Sequence, residues 1–279
     1  CLEAAKKAYA WGAQNSNKTY KNPSDVETGE YGDGYVGDEK IFAGTELFIT
    51  TGDVSYKQAQ NAEAGVPAWP DVSGLAIYGA ATHAAEFGSD ATLAAGVLTG
   101  AGNDFVSRAS KGFGAVMNSE DFVWGSNAVA ANQGIWLLHA FYVTGEMKYY
   151  ETAKKVLDYL LGKNPLDMSF MTGFGTKSPK NPHHRPSTAD GVSAPVPGML
   201  VGGPQNNDNS DEYKAGKDNP DDAAWKCAAY SKPQPALSYI DNRCSYASNE
   251  VAINWNAPLA YLAGAIEALN AGRKPSFAK

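Results

Sequence analysis

The sequence predicts an all-α chain built from paired helices. Three observations carry this reading. Apolar residues recur at helical spacing in nearly every segment, strand-like alternation is rare with no βαβ rhythm, and one helix–turn unit occurs twice. The first helix is read from Cys1 to Trp11, with Leu2, Ala5, Tyr9 and Ala13 on one face and no Ser, Thr or Asp cap ahead of them. Further apolar faces run from Ile41 to Ile49, Leu75 to Ala85, Ala91 to Leu98, Val129 to Val143 and Leu259 to Leu269. The clearest is Ala153, Val156, Leu157, Leu160 and Leu161, which fall at i, i+3, i+4, i+7 and i+8. The repeated unit is Glu46 to Tyr56, echoed by Ala140 to Tyr149 about 93 residues later. In each copy an apolar helix is stopped by a glycine (Gly52, Gly145) suited to the left-handed position. An acidic residue (Asp53, Glu146) then caps the next helix. Units of this kind stack into toroids or solenoids.

Composition narrows the function classes. The chain has 279 residues, 43% hydrophobic, with 23 Lys+Arg against 30 Asp+Glu and a net charge of −7. That length buries a sizeable core without metal or disulfide staples. The acidic balance, with no Lys/Arg run, argues against a nucleic-acid binder, whose affinity rests on neutralising phosphates. It leaves room for a neutral ligand such as a sugar polymer. No apolar stretch approaches the roughly 20 residues needed to cross a bilayer. The sequence begins at Cys1 without Met or signal peptide, so a processed or truncated product is expected, with something preceding it. Three cysteines lack zinc spacing. Cys227 and Cys244, 17 residues apart, either pair in a secreted protein or stay free.

Residues 164 to 249 break the helical pattern. Ten of the 15 prolines fall there, with two of the four histidines, so the stretch is read as ordered loops over one face of a helical scaffold, where sites concentrate. Three groups within or beside it could carry chemistry. In Pro182-His183-His184-Arg185-Pro186, flanking prolines stiffen an extended segment, so His183 and Arg185 point to one side and suit a polar substrate. The alternative is a solvated basic turn. Glu250 lies where a polar loop becomes the last apolar helix. Tyr246 and Trp255 nearby would shield it and raise its pKa, as a proton-donating carboxyl requires. Its other reading is a favourable acid in the first turn of that helix. Asn249, Asn254 and Asn256 are suited to caps and hydrogen bonds, and Asp241 to an ion pair with Arg185 or Arg243. The third group is aromatic: Trp69, Trp124, Tyr31 and Tyr35 stand beside Gly or Pro, where ring faces can stack on sugars, whereas Trp11 and Trp136 sit mid-helix and read as core. Asp38 and Glu39 either hold a hard cation or cap the helix after them. His83 and His139 lie on helical faces and read as structural.

Two long motifs carry a resemblance. Ser169-Phe-Met-Thr172-Gly173 through Lys177 to Pro182-His183-His184-Arg185 resembles the His-bearing signature of glycoside hydrolase family 9, the inverting cellulases. Tyr239-x-Asp241-(x4)-Tyr246-(x3)-Glu250-x-Ala252-(x3)-Asn256-Ala257 is similar to the family's acid-bearing signature. The likeness extends to Trp124-Gly-Ser-Asn127 and the opening Cys-Leu-Glu-Ala-Ala.

The resemblance implies an (α/α)6 barrel, a six-hairpin toroid, and cleavage of internal β-1,4-glucosidic bonds by a secreted endoglucanase. It makes Glu250 the general acid, with His183 and Asp241 in the catalytic set. It assigns Arg185, Trp69, Trp124, Tyr246, Trp255 and Tyr35 to substrate. It places a structural calcium at Asp38 and Glu39, with no cofactor required. One departure stands out: the family's Asp-x-Gly-Asp base motif is absent here, and only about seven or eight of twelve helices are expected. Residues 1–279 therefore read as the C-terminal two-thirds of one catalytic domain, incomplete at the N-terminus. The expected partners are cello-oligosaccharide and the missing N-terminal segment. A non-catalytic carbohydrate-binding protein, or a hydrolase of xylan or mixed-linkage glucan, are the alternatives.

Overall fold

The computed structural model describes all residues except 17, 27–29, 31, 112, 206–229, 231–233, 244, 278 and 279. Among the described residues every extended element is helical, and the only β pairing is three isolated bridges. The helices are α1 (Leu2–Gln14), α2 (Gly37–Thr51), α3 (Ser73–Thr82), α4 (Ala84–Phe87) and α5 (Ser89–Arg108). They continue with α6 (Ser126–Thr144), α7 (Met147–Leu160), α8 (Arg185–Ala189), α9 (Tyr246–Asn249) and α10 (Ile253–Asn270). They group into two compact units. The first comprises Cys1–Gly100 with Tyr142–Thr144 and Phe277–Lys279, the second Ala101–Phe141 and Gly145–Ser276.

In the first unit α2 packs on α3 and on α1. Leu47 and Phe48 of α2 and Ala76, Ile77 and Ala80 of α3 are buried, and Phe48 meets Phe87 edge to face at 5.1 Å. The other side of α1 lines an apolar groove with α2, of about 860 Å³. Trp11 stands on its rim, 58% exposed, so the expectation that it is core fails in this chain. Mid-helix position fixed its face, but no element packs over that face among the described residues. Trp136, by contrast, is fully buried.

In the second unit α6 is apolar on every side and central, with Trp136, Leu137, Leu138 and Ala140 inaccessible. The α7 face predicted from periodicity is buried at Ala153, Val156 and Leu160, while Leu161 is exposed. α7 packs on α10, whose Leu259, Leu262 and Ile266 are buried. His139 of α6 stacks on Tyr261 at 6.3 Å, and burial pushes its pKa down to about 4, as befits a structural histidine. His83 is likewise structural, with Nδ1 2.9 Å from Gly79 O at the end of α3.

The repeated turn chemistry is half realised. Gly52 and Gly145 both adopt left-handed φ, +70° and +75°, and their N–H groups close the preceding helices. Asp53 caps the next turn through Ser55 N at 2.9 Å. Glu146 makes no cap bond. Its carboxylate is drawn to Lys148 at 2.7 Å instead, so the second copy lacks the expected cap.

The loops between α7 and α10 run over the N-terminal ends of α6 and α10. Ser126 and Asn127, the first residues of α6, bond Pro204 O at 2.5 Å and Val201 O at 2.9 Å. Asn256 in the first turn of α10 accepts from Leu200 N at 2.7 Å. Asn164 folds the start of the stretch by donating to Tyr159 O and Met168 O. Fully buried Phe170, Leu200 and Val201 anchor it.

Candidate active site

The second unit brings four of the predicted residues together. His183 and Glu250 form a parallel β-bridge, with His183 N donating to Asn249 O at 2.8 Å. Trp124 Nε1 donates to Glu250 Oε2 at 2.9 Å. Tyr246 sits between the two rings, 5.5 Å from Trp124 and 5.7 Å from His183. His183 Nδ1 lies 3.0 Å from Arg243 O, which sets the ring's orientation. Trp124 is 38% exposed, and Glu250, His183 and Tyr246 are half-buried, so a carboxyl, an imidazole and two aromatic rings share one solvent-reachable face.

Local sequence explains this geometry. Trp124 is followed by Gly125 at φ +83°, where a Cβ would lie 2.8 Å from the Trp255 ring, so glycine is required both for backbone and for space. Trp255 is thus a packing partner of Gly125 and Gly202 behind the site. Glu250 ends α9 in extended geometry (φ −55°, ψ 148°), and α10 begins only at Ile253. It is therefore not the first-turn acid of the last helix.

The residue before it, Asn249, is of a type suited to caps and hydrogen bonds, and the hydrogen bonds are what it supplies. Asn249 is fully buried. Its side-chain N–H groups reach the carbonyls of Ile240, Asn242 and Ser245, and its Oδ1 accepts from Tyr239 OH at 2.6 Å. Burial, and then the Asp241 charge, push the Tyr239 hydroxyl well above its ordinary pKa, so it remains a donor. This clamp closes the loop that presents Glu250, and the sequence signal for it is the buried-sized polar residue immediately before the acid.

Asp241 accepts from Lys180 N and Asn181 N, both at 2.8 Å, and its carbonyl accepts from Asn181 Nδ2. It fixes the segment leading to His183. The ion pair expected with Arg185 or Arg243 is not formed, and the carboxylate holds the 180–181 backbone instead. Arg185 does not continue an extended run: that run ends at His184, whose Nδ1 accepts from Ser187 N and caps α8, and Arg185 is exposed in the first turn of α8. Asn254 is exposed, while Asn256 ties α10 to Leu200.

Trp69, Tyr35, Asp38 and Glu39 lie in the first unit. Trp69, 51% exposed, tips a turn closed by the Ala68–Asp71 bridge, and Tyr35 is 67% exposed over Gly37. Asp38 is buried in α2 and caps α3 rather than its own helix, accepting from Val72 N at 2.7 Å, while its Oδ1 has no hydrogen-bond partner among the described residues. Burial, with the Asp38 and Asp33 carboxylates beside it, pushes Glu39 up to about 7. Cys227, Cys244 and Tyr31 lie outside the described residues.

The model of glycosyl hydrolase family 9 matches residues 1–263. The chain belongs to glycosyl hydrolase family 9. It is 36% identical to the xyloglucan-specific endo-β-1,4-glucanase of Bacteroides ovatus, over 96% of this chain and 46% of that protein. The solved Bacteroides ovatus GH9 structure superposes with a TM-score of 0.82 at 34% identity, covering 96% of this chain and 48% of the other. A structure of AaCel9A in complex with cellobiose-like isofagomine gives 0.80 at 34% identity, covering 95% and 50%. This family 9 chain thus spans about half the length of the relatives it matches, and the paired-helix, (α/α)6-type fold expected from its sequence is theirs.

Proposed function

We propose that this family 9 chain supplies the acid side of an inverting β-1,4-glucanase that cuts internal bonds. The bridge that sets His183 beside Glu250, under two aromatic rings, is the observation that supports it most. In this reading Glu250 protonates the glycosidic oxygen as the C–O bond breaks, with the electron pair passing to that oxygen. His183 and Arg185 bind the sugar next to the scissile bond, Asp241 holds their segment in place, and Tyr246 and Trp255 shape the subsite. Trp69 and Tyr35 contribute further sugar contacts. The attacking water needs a second carboxylate about 6.5–9.5 Å from the acid. No Asp-x-Gly-Asp motif is present in this sequence, so the base comes from the segment corresponding to the other half of the relatives. The apolar groove along α1 and α2 is a surface suited to such a segment.

The substrate is a β-1,4-glucan, cello-oligosaccharide being the simplest form, and the relative named for xyloglucan supports tolerance of a decorated backbone. The protein acts outside the cell. Asp38 and Glu39 fit a structural calcium, since a cation would satisfy the unbonded Asp38 Oδ1 and relieve the crowding that keeps Glu39 protonated. Among the described residues no group of three His, Cys, Asp or Glu is close enough to hold a metal together, so carbonyls and water would complete the shell.

The test is Glu250→Gln in the chain joined to its upstream segment. Hydrolysis of cellotetraose should fall by about 10²–10⁴-fold, the worth of general acid catalysis. An unchanged rate removes Glu250 from the mechanism. Binding of cellotetraose without any hydrolysis by the unmodified protein would instead favour a carbohydrate-binding role.

A further inference from the structure

We infer that Trp124 is a positioning residue for Glu250, acting through its indole N–H and not only through its ring face. The inference rests on Glu250 being the general acid. Glu250 Oε2 accepts the Trp124 N–H at 2.9 Å. The carbonyl oxygen of a protonated carboxyl is its better acceptor, so the bond at Oε2 favours the transferable proton on Oε1. When that proton passes to the leaving oxygen, Glu250 becomes a carboxylate and negative charge spreads onto Oε2. The Trp124 bond is then charge-assisted and stronger than before. An interaction that strengthens as the proton leaves raises kcat and leaves KM nearly untouched.

The indole is held well enough to do this. Gly125 turns the chain directly behind it, and Ser126 and Asn127 are tied to Pro204 and Val201. Tyr246 packs on its ring, and His183 packs on Tyr246 from beyond. A tryptophan serving only as a stacking platform has no need of its edge on a carboxylate, and the edge is what this structure engages.

The experiment compares Trp124→Phe and Glu250→Gln, in the chain joined to its upstream segment, on two substrates. Cellotetraose needs its leaving group protonated. Dinitrophenyl cellobioside has a leaving group that departs without a proton. Phenylalanine keeps the ring and removes the N–H. Trp124→Phe should lower kcat on cellotetraose about tenfold, the worth of one hydrogen bond to a charged group, with KM within about twofold and the aryl substrate unaffected. Glu250→Gln should show the same selectivity more strongly. If Glu250→Gln is as active as the parent, the acid assignment itself fails. If Glu250→Gln behaves as an acid mutant while Trp124→Phe slows both substrates equally or acts through KM alone, Trp124 is a stacking residue and this inference is wrong. A second measurement leaves Trp124 intact. In the chain labelled with ¹⁵N-tryptophan, Glu250→Gln should move the Trp124 indole N–H resonance upfield and speed its exchange with solvent. An unmoved resonance overturns the bond.

Discussion

Replacing Asn249 by alanine deletes a clamp that several buried groups share. Tyr239 OH loses the acceptor it reaches at 2.6 Å, and the carbonyls of Ile240 and Asn242 lose the side-chain amide. The three carbonyls each keep a backbone donor that alanine leaves in place: Asn242 N on Ile240 O, Ser245 N on Asn242 O, and Asn249 N on Ser245 O. The group left without a partner is the buried Tyr239 hydroxyl, at about 1–3 kcal/mol of lost stability. For a chain of this size that corresponds to a fall in Tm of about 2–10 °C. Guanidinium and thermal unfolding followed by far-UV circular dichroism would measure it on the chain itself. Asn249→Asp is the informative companion. It preserves the acceptor for Tyr239 but presents an anion to the carbonyls, so it should be at least as destabilised at neutral pH. A loss below about 1 kcal/mol for Asn249→Ala would mean that the loop before Glu250 is held by its backbone alone, and the clamp argument would be wrong.

The same geometry carries further expected outcomes. Gly125→Ala meets both a left-handed φ and the Trp255 ring at 2.8 Å, so it should cost about 1–3 kcal/mol and disturb the site, read as a lowered Tm with altered tryptophan fluorescence. Glu39, with its pKa raised to about 7, is ionised in the unfolded chain from about pH 4.5 while the folded chain keeps the proton. The Glu39 contribution to stability should therefore fall between those values without a divalent cation, read as the difference between parent and Glu39→Gln, and calcium above pH 7 should stabilise the parent but not Glu39→Gln. Tm profiles of parent and Glu39→Gln that run parallel from about pH 4.5 to 7, with no calcium response, would refute that reading. His139 runs the other way. Held down to about 4, it stays neutral while the unfolded histidine protonates below about 6.5, so its own contribution to stability falls as pH drops from 6.5 to 4. His139→Phe should flatten that slope in acid unfolding curves. Leu262→Ala, at a fully buried contact of α10, should cost about 2–5 kcal/mol in guanidinium titrations.

The order of residues alone specifies the helices and the stops between them. Periodicity located the buried faces of α2, α6, α7 and α10, because an apolar stripe must be covered wherever its helix lies, and Gly52 and Gly145 marked left-handed turns that other residues resist. It also named His183, Glu250, Tyr246 and Trp124 through motifs whose spacing survives in one chain. Long-range packing settled everything that depends on residues far apart along the chain. Trp124 and Glu250 are 126 positions apart, and no local pattern says that the indole edge, rather than the ring face, meets the acid. By charge Asp241 suits an arginine partner, yet its oxygens meet backbone N–H groups 60 and 61 positions away. Trp11 reads as core on any helical wheel but is exposed, since burial depends on what another element supplies and not on the helix that carries the side chain.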